Sequence, residues 1–224
     1  MDLRYIGHSA FELKLANNSI LIDPFVQVNP EYNWREANIT DIFVTHAHGD
    51  HLGQAIEIAK EKDATITAVF ELANYLREQG CKVRPVGFGS WINYEWGRVV
   101  FVPAFHSSSL PDGRYAGEPA GIIFDVENVR IYHAGDTALT SEMKTIKELY
   151  RPNIAMLPIG GNYTMDVEHA VVASEWIGAQ TIIPMHYGTF PEIQADVEKF
   201  GQLLEFNNSR CVVMNPKDNN QNQE

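Results

Sequence analysis

The segment Thr45-His46-Ala47-His48-Gly49-Asp50-His51-Leu52-Gly53 sets three imidazoles and a carboxylate within six residues. That spacing does not match one helix face. Donors leaving a single turn in several directions are what two adjacent metal centres require. Imidazole with carboxylate suits Zn, Mn or Fe, with Zn the default. A chance surface histidine cluster is the bland alternative, and the density of donors makes it a poor one. Three later segments end apolar runs in the same manner. Val102-Pro103-Ala104-Phe105-His106 ends on a histidine, and Tyr132-His133-Ala134-Gly135-Asp136-Thr137 on a histidine and an aspartate. Ile183-Pro184-Met185-His186 ends on another histidine. Ligands placed at strand ends gather along one edge of a sheet.

The elements that must position these residues are read from short apolar, β-branched runs. Strands are predicted over 3–6, 11–15, 20–22, 42–45, 65–70, 99–103, 122–126 and 129–132. Helical spacing is read over 52–62, and over 71–79 with Gly80 as its stop. The second half repeats the alternation: helix 141–149, strand 154–157, helix 167–177 behind a capping Asp166, strand 181–184, helix 191–206 and strand 211–214. Two halves, each with strands first and helices after, predict two sheets with helices outside them. No Gly-, Ser- or Pro-rich linker divides the halves, so one domain is expected over 1–215 with a polar tail over 216–224. Residues 107–119, rich in Ser, Pro, Asp and Gly, read as a surface loop.

The composition narrows the function. Against 17 basic residues stand 29 acidic ones, a net charge of -12, and such a field disfavours broad contact with nucleic-acid phosphates. Metal ions reverse the field locally, so a small anionic substrate stays within the expectation. Cys81 and Cys211 form neither a disulfide framework nor a Cys-x-x-Cys pair and read as reduced structural thiols. No run approaches the ~20 apolar residues of a membrane span, and the first residues lack a signal peptide's apolar centre. A cytoplasmic protein with a small-molecule partner and no membrane partner is expected, a homo-oligomer being compatible with the sequence.

Other polar residues compete with structural readings. His8, in a Gly-His-Ser turn, reads equally as a donor near the site or contact to a substrate phosphate, or as a local hydrogen-bonded histidine. Asp23, at a strand end before Pro24, is favoured slightly as a partner of a ligand histidine over a turn residue. Gly160-Gly161-Asn162 could offer backbone N–H groups to an oxyanion, or simply form a tight turn. His169, Arg114 and Tyr115 are more simply read as surface groups, and Trp34, Trp91, Trp96 and Trp176 as packing aromatics.

Taken in order, the H-x-H-x-D-H element, Gly7-His8-Ser9, Ile22-Asp23-Pro24-Phe25, His106-Ser107, His133-Ala134-Gly135-Asp136-Thr137, Gly160-Gly161-Asn162 and Pro184-Met185-His186-Tyr187-Gly188 resemble the metallo-β-lactamase superfamily. Within it the chain resembles a family of metal-dependent hydrolases related to the ascorbate-phosphate lactonase group, over about residues 3–214. The resemblance implies a four-layer αββα sandwich of the α/β (α+β) class. It implies one divalent ion on His46, His48 and His106, a second on Asp50, His51 and His186, and Asp136 bridging them. His133 and Thr137 would orient Asp136. A metal-bridging hydroxide would attack the substrate, with Asp50 as the catalytic acid/base. Lactone or ester hydrolysis is favoured; phosphodiester cleavage and a non-catalytic metal-binding role are the alternatives. Every position of the ligand pattern is filled, which speaks against a degenerate family member. An H-x-E-x-D arrangement with a flavin module, the mark of diiron redox relatives, is not present in the sequence.

Overall fold

The structure, a computed structural model, describes residues 1–207 and 209–217. Most of the polar tail expected over 216–224 therefore lies outside the described residues. Among the described residues the chain divides into two compact units, and each is built on one sheet with three α-helices. No helix among the described residues is long and apolar enough to cross a membrane.

The first unit comprises Met1–Gly87 and Ser107–Pro119, with the segment from Met214. Its sheet runs in chain order: β1 (Asp2–Gly7), β2 (Ala10–Lys14), β3 (Ser19–Ile22), β4 (Ile39–Phe43), β5 (Thr65–Val69) and β6 (Lys82–Val86). The β1–β2 and β2–β3 pairs are antiparallel, and the remaining pairs are parallel. Two reversals return β3 to the direction of β1, so β1, β3, β4 and β5 all end on the same edge. Helices α1 (Gly49–Leu52), α2 (Ala55–Lys62) and α3 (Phe70–Glu78) complete the unit. Ile58, Leu72 and Leu76 are buried, as are Phe11, Leu13, Ile20, Ile42, Phe43 and Ile66 of the strands.

Between Leu52 and Lys62 the sequence predicts one helix, but the chain makes two. Gly53 adopts φ +46°, and a Cβ there would lie 2.3 Å from the Pro24 carbonyl oxygen. The chain must turn left-handed against Pro24–Phe25 at that point, which favours glycine. Asp50 and His51 consequently sit on the one-turn helix α1, rather than in a loop before a helix. Strand β6 escaped the sequence reading because Pro85 and two charged neighbours, Lys82 and Arg84, mask it. Its place at the sheet edge is where proline is tolerated.

The second unit comprises Phe88–His106 and Ala120–Val213. Its strands are β7 (Ile92–Tyr94), β8 (Gly97–Pro103), β9 (Ala120–Val126), β10 (Val129–His133), β11 (Ile154–Pro158), β12 (Thr181–Met185) and β13 (Arg210–Cys211), again neighbours in chain order. The β7–β8, β8–β9 and β9–β10 pairs are antiparallel, and those from β10 to β13 are parallel. Strands β8, β10, β11 and β12 therefore point the same way, and their C-terminal ends share one edge. Helices α4 (Glu142–Leu149), α5 (Val167–Ile177) and α6 (Val197–Phe206) bury Met143, Ile146, Ala170, Ile177, Phe200 and Leu204. The last helix begins six residues later than Pro191 suggested. Asp196 accepts the Lys199 N–H at 2.9 Å and so caps it, while Ile193 N–H turns back to the Phe190 carbonyl at 3.2 Å.

Candidate metal centre

In the first unit the shared edge carries His8 after β1, Asp23 after β3 and the His46–His51 segment after β4. Asp23 is fully buried and takes φ +44°, a left-handed backbone that turns its carboxylate back toward the β4 exit. It accepts the Thr45 N–H at 2.8 Å, the Thr45 hydroxyl at 2.6 Å and His51 Nδ1 at 2.7 Å. Because the Thr45 hydroxyl hydrogen points at Asp23, its oxygen accepts from His46 Nδ1, 3.1 Å away. Both imidazoles are thereby held as Nδ1–H tautomers, which puts the lone pair on Nε2, the atom a cation would bind. Their rings lie 4.1 Å apart between centroids, and His46 Nε2 comes within 3.0 Å of His48 Nδ1.

His8 is also buried, at φ +58°, with its carbonyl accepting the Tyr5 hydroxyl at 3.0 Å and its ring edge-on to Phe25. Its Nε2 lies 3.0 Å from Asp50 Oδ2. Donor atoms of His8, Asp50 and His51 all fall within 4.8 Å of one another. The structure thus places His8 beside Asp50, a partner that either reading of this histidine allows. Thr45 and Ser108 escaped the sequence reading. Ser108 Oγ accepts the Ala47 N–H at 3.3 Å and steadies the turn between the two histidines. Thr45 stands directly before the histidine pair, a position that could have drawn notice.

In the second unit the edge carries His106 after β8, Asp136 after β10, Gly160–Asn162 after β11 and His186 after β12. Asp136 Oδ2 lies 3.1 Å from His186 Nε2 and 3.5 Å from His106 Nε2. His133 Nδ1 accepts the Gly135 N–H at 3.1 Å and closes the turn that delivers Asp136. Thr137 Oγ1 accepts the Phe105 N–H at 3.0 Å, tying the β8 exit to the β10 exit.

The Gly160-Gly161-Asn162 turn is engaged internally. Gly161 N–H donates to the Met165 carbonyl at 3.0 Å, and the N–H groups of Tyr163 and Thr164 both turn to the Gly161 carbonyl. Gly160 answers a packing demand, since a Cβ there would stand 2.2 Å from the His186 carbonyl oxygen. Asn162, at φ +56°, supplies the left-handed step of the turn.

The remaining candidates are accounted for away from these edges. His169 is exposed in the first turn of α5, where Asp166 accepts its N–H at 2.9 Å. Arg114 pairs with Asp112. Trp34, Trp91 and Trp176 each lie beneath a cation, Arg35, Arg98 and Lys144, and Trp96 stacks on Tyr94.

The donors fit divalent metal ions by their chemistry. Neutral imidazoles with oriented lone pairs and carboxylates form the set that binds such ions, and the buried Asp23 is the outer carboxylate that ligand histidines ordinarily carry. Comparison with known proteins agrees. Residues 2–186 match the model of the β-lactamase superfamily domain. A UPF0173 metal-dependent hydrolase of Bacillus cereus is 43% identical over 212 residues, covering 92% of this chain and 93% of its own length. The structure of Igni18, a metallo hydrolase from the archaeon Ignicoccus hospitalis, is 35% identical. It aligns with a TM-score of 0.88 over 96% of this chain and 94% of that one. A putative metal-dependent hydrolase from Parabacteroides distasonis is 26% identical, with a TM-score of 0.74 over 95% of this chain and 91% of that one. The chain has the metallo-β-lactamase fold and belongs to the β-lactamase superfamily, among the UPF0173 metal-dependent hydrolases.

Proposed function

We propose that the enzyme binds two divalent ions through the histidines and aspartates of its sequence pattern, and that it uses them to hydrolyse a carboxylic ester or lactone in a small metabolite. The observation that carries this reading is the Asp23 hydrogen-bond system, which fixes His46 and His51 in the tautomer a cation needs. His46, His48 and His106 would hold one ion, Asp50, His51 and His186 the other, and Asp136 both. Zinc is the default occupant, and the same donors accommodate Mn or Fe. When bound, such a pair supplies an acidified water and an electrophile for the substrate carbonyl.

The residues' own parts follow from their contacts. His8 Nε2 holds Asp50 Oδ2 at 3.0 Å, and the carboxylate so placed would take the proton released by the attacking water and return it to the leaving alkoxide. Thr137 and His133 fix the backbone on either side of Asp136. That every position of the ligand pattern is filled supports catalysis over a purely metal-storing role. The lactonase likeness of the sequence supports a carboxyl over a phosphoryl substrate, and the acidic surface supports a small-molecule substrate over nucleic acid.

Initial rates of the metal-loaded protein on lactones, simple esters, thioesters and a chromogenic phosphodiester test the proposal, with Asp136→Ala as the blank. Turnover of a lactone or ester that vanishes in the variant is expected. Turnover of the phosphodiester alone would transfer the protein to the phosphodiesterases.

A further inference from the structure

The loops that carry the second unit's donors are free of cationic residues. Residues 104–106, 134–141, 159–166 and 186–196 contain no Lys or Arg, while Asp166, Glu192 and Asp196 add negative charge to Asp136. The usual substitute for a cation, a helix N-terminus, is also closed. Asp166 already caps α5 and Asp196 already caps α6 with their carboxylates. The backbone N–H groups of Phe105, Ala138, Gly161, Tyr163, Thr164, Met165, Gly188 and Ile193 are engaged within the unit. In the first unit the two arginines of the comparable loops are balanced as well: Arg35 by Glu57 and Glu61, Arg114 by Asp112.

What these loops do present is aromatic surface. Phe105, next to His106, is 72% exposed, and Tyr163, in the turn after Gly160, is 60% exposed. Both are anchored to Thr137, the neighbour of Asp136. Phe105 donates its N–H to the Thr137 hydroxyl at 3.0 Å. The Tyr163 turn closes through Gly161 onto Met165, whose N–H donates to the Thr137 carbonyl at 3.1 Å. A large aromatic group left in water forgoes the stabilisation of burial, and loops pinned beside a reactive centre are where such surface serves ligand recognition.

We infer that the substrate is a neutral molecule bearing an aryl or alkyl group, and that Phe105 and Tyr163 receive that group as specificity-determining residues. The inference rests on the ester or lactone reading of the same site. It narrows the substrate from small metabolites in general, anionic ones included, to apolar neutral ones.

The test compares neutral aryl and alkyl esters and lactones with the same compounds carrying a carboxylate or phosphate, on the metal-loaded enzyme. Wild type is expected to favour the neutral member of each pair in kcat/KM. Phe105→Ala and Tyr163→Ala are each expected to raise KM for aryl substrates roughly 3- to 10-fold, the worth of one aromatic contact, with kcat within about twofold. Phe105→Leu and Tyr163→Phe should recover most of the loss. A preference for the anionic member, or Ala variants that lower kcat alike on every substrate, would overturn the inference.

A calorimetric titration with the unreactive neutral amide 4-phenylbutanamide separates this idea from the ester reading. Binding that weakens in the double Ala variant upholds the aromatic site even if no ester is turned over, and absence of binding to wild type overturns it. Light scattering supplies the last arm: a wild-type dimer that the double variant converts to monomer would make these aromatics an interface between copies instead.

Discussion

Asp23 shows how one buried carboxylate sets the chemistry of two histidines. Its oxygens accept from Thr45 and His51, and through Thr45 they decide the proton position on His46. In Asp23→Asn the amide nitrogen would face Nδ1–H or the Thr45 hydroxyl donor to donor. Relief of that conflict moves a ring proton to Nε2 and removes a metal-binding lone pair. Zinc affinity is expected to fall roughly 10- to 100-fold, read by competition with a chromophoric chelator, while the circular dichroism of the fold is retained. Unchanged affinity would contradict the tautomer assignment. The sequence offered Asp23 only as a strand-end aspartate before proline, and its three acceptor bonds depend on a positive φ that no local pattern announces.

Between elements, the decisive contact is the crossing of the β11 and β12 exits. Gly160 stands where His186's carbonyl passes, and Ile193 closes in from the same loop. A methyl group at Gly160 must push the His186 turn outward, since a backbone oxygen cannot yield as a flexible side chain would. Gly160→Ala is expected to cost about 1–3 kcal/mol, in the range of overpacking, seen as a melting temperature lower by several degrees. Metal content measured by atomic absorption should fall with it. A variant as stable and as metallated as wild type would remove the steric account. Gly161→Ala serves as the contrast: its φ of +69° strains a Cβ, yet the nearest side-chain atom lies 3.7 Å away. The paired glycines suggested an oxyanion cradle in the sequence. Packing explains the first and the internal hydrogen bonds of the turn explain the second.

For the molecule as a whole, each unit buries a tyrosine whose phenol is pushed above its ordinary range. Burial is the main cause for both. The neighbouring Glu12 adds to it for Tyr32 in the first unit, and Tyr132 in the second is fully enclosed. A raised phenol pKa means the fold holds the proton more tightly than the unfolded chain does. Stability from these groups is therefore intact below the unfolded value of about 10 and declines as pH rises above it. Urea midpoints should hold steady from pH 8 to about pH 9.5 and then drop, and Tyr132→Phe should flatten the drop. An equally steep decline in that variant would place the alkaline sensitivity elsewhere. The two-sheet α/β architecture was legible as a whole, because each half of the chain repeats apolar strand runs followed by helical spacing. Less legible were β6, hidden by a proline that only an edge strand tolerates, and the break at Gly53, which answers a contact with the distant Pro24.

By itself the sequence determined the donor types, their attachment to strand ends and the hydrolase family, because these follow from residue chemistry and from periodicities of a few residues. Tertiary structure alone decided that Asp23 governs His46 and His51, that His8 holds Asp50, and that Gly160 yields to His186. Those relations join residues 22 to 42 positions apart. Pairings at such distances arise from strand direction and close packing, which local sequence does not encode.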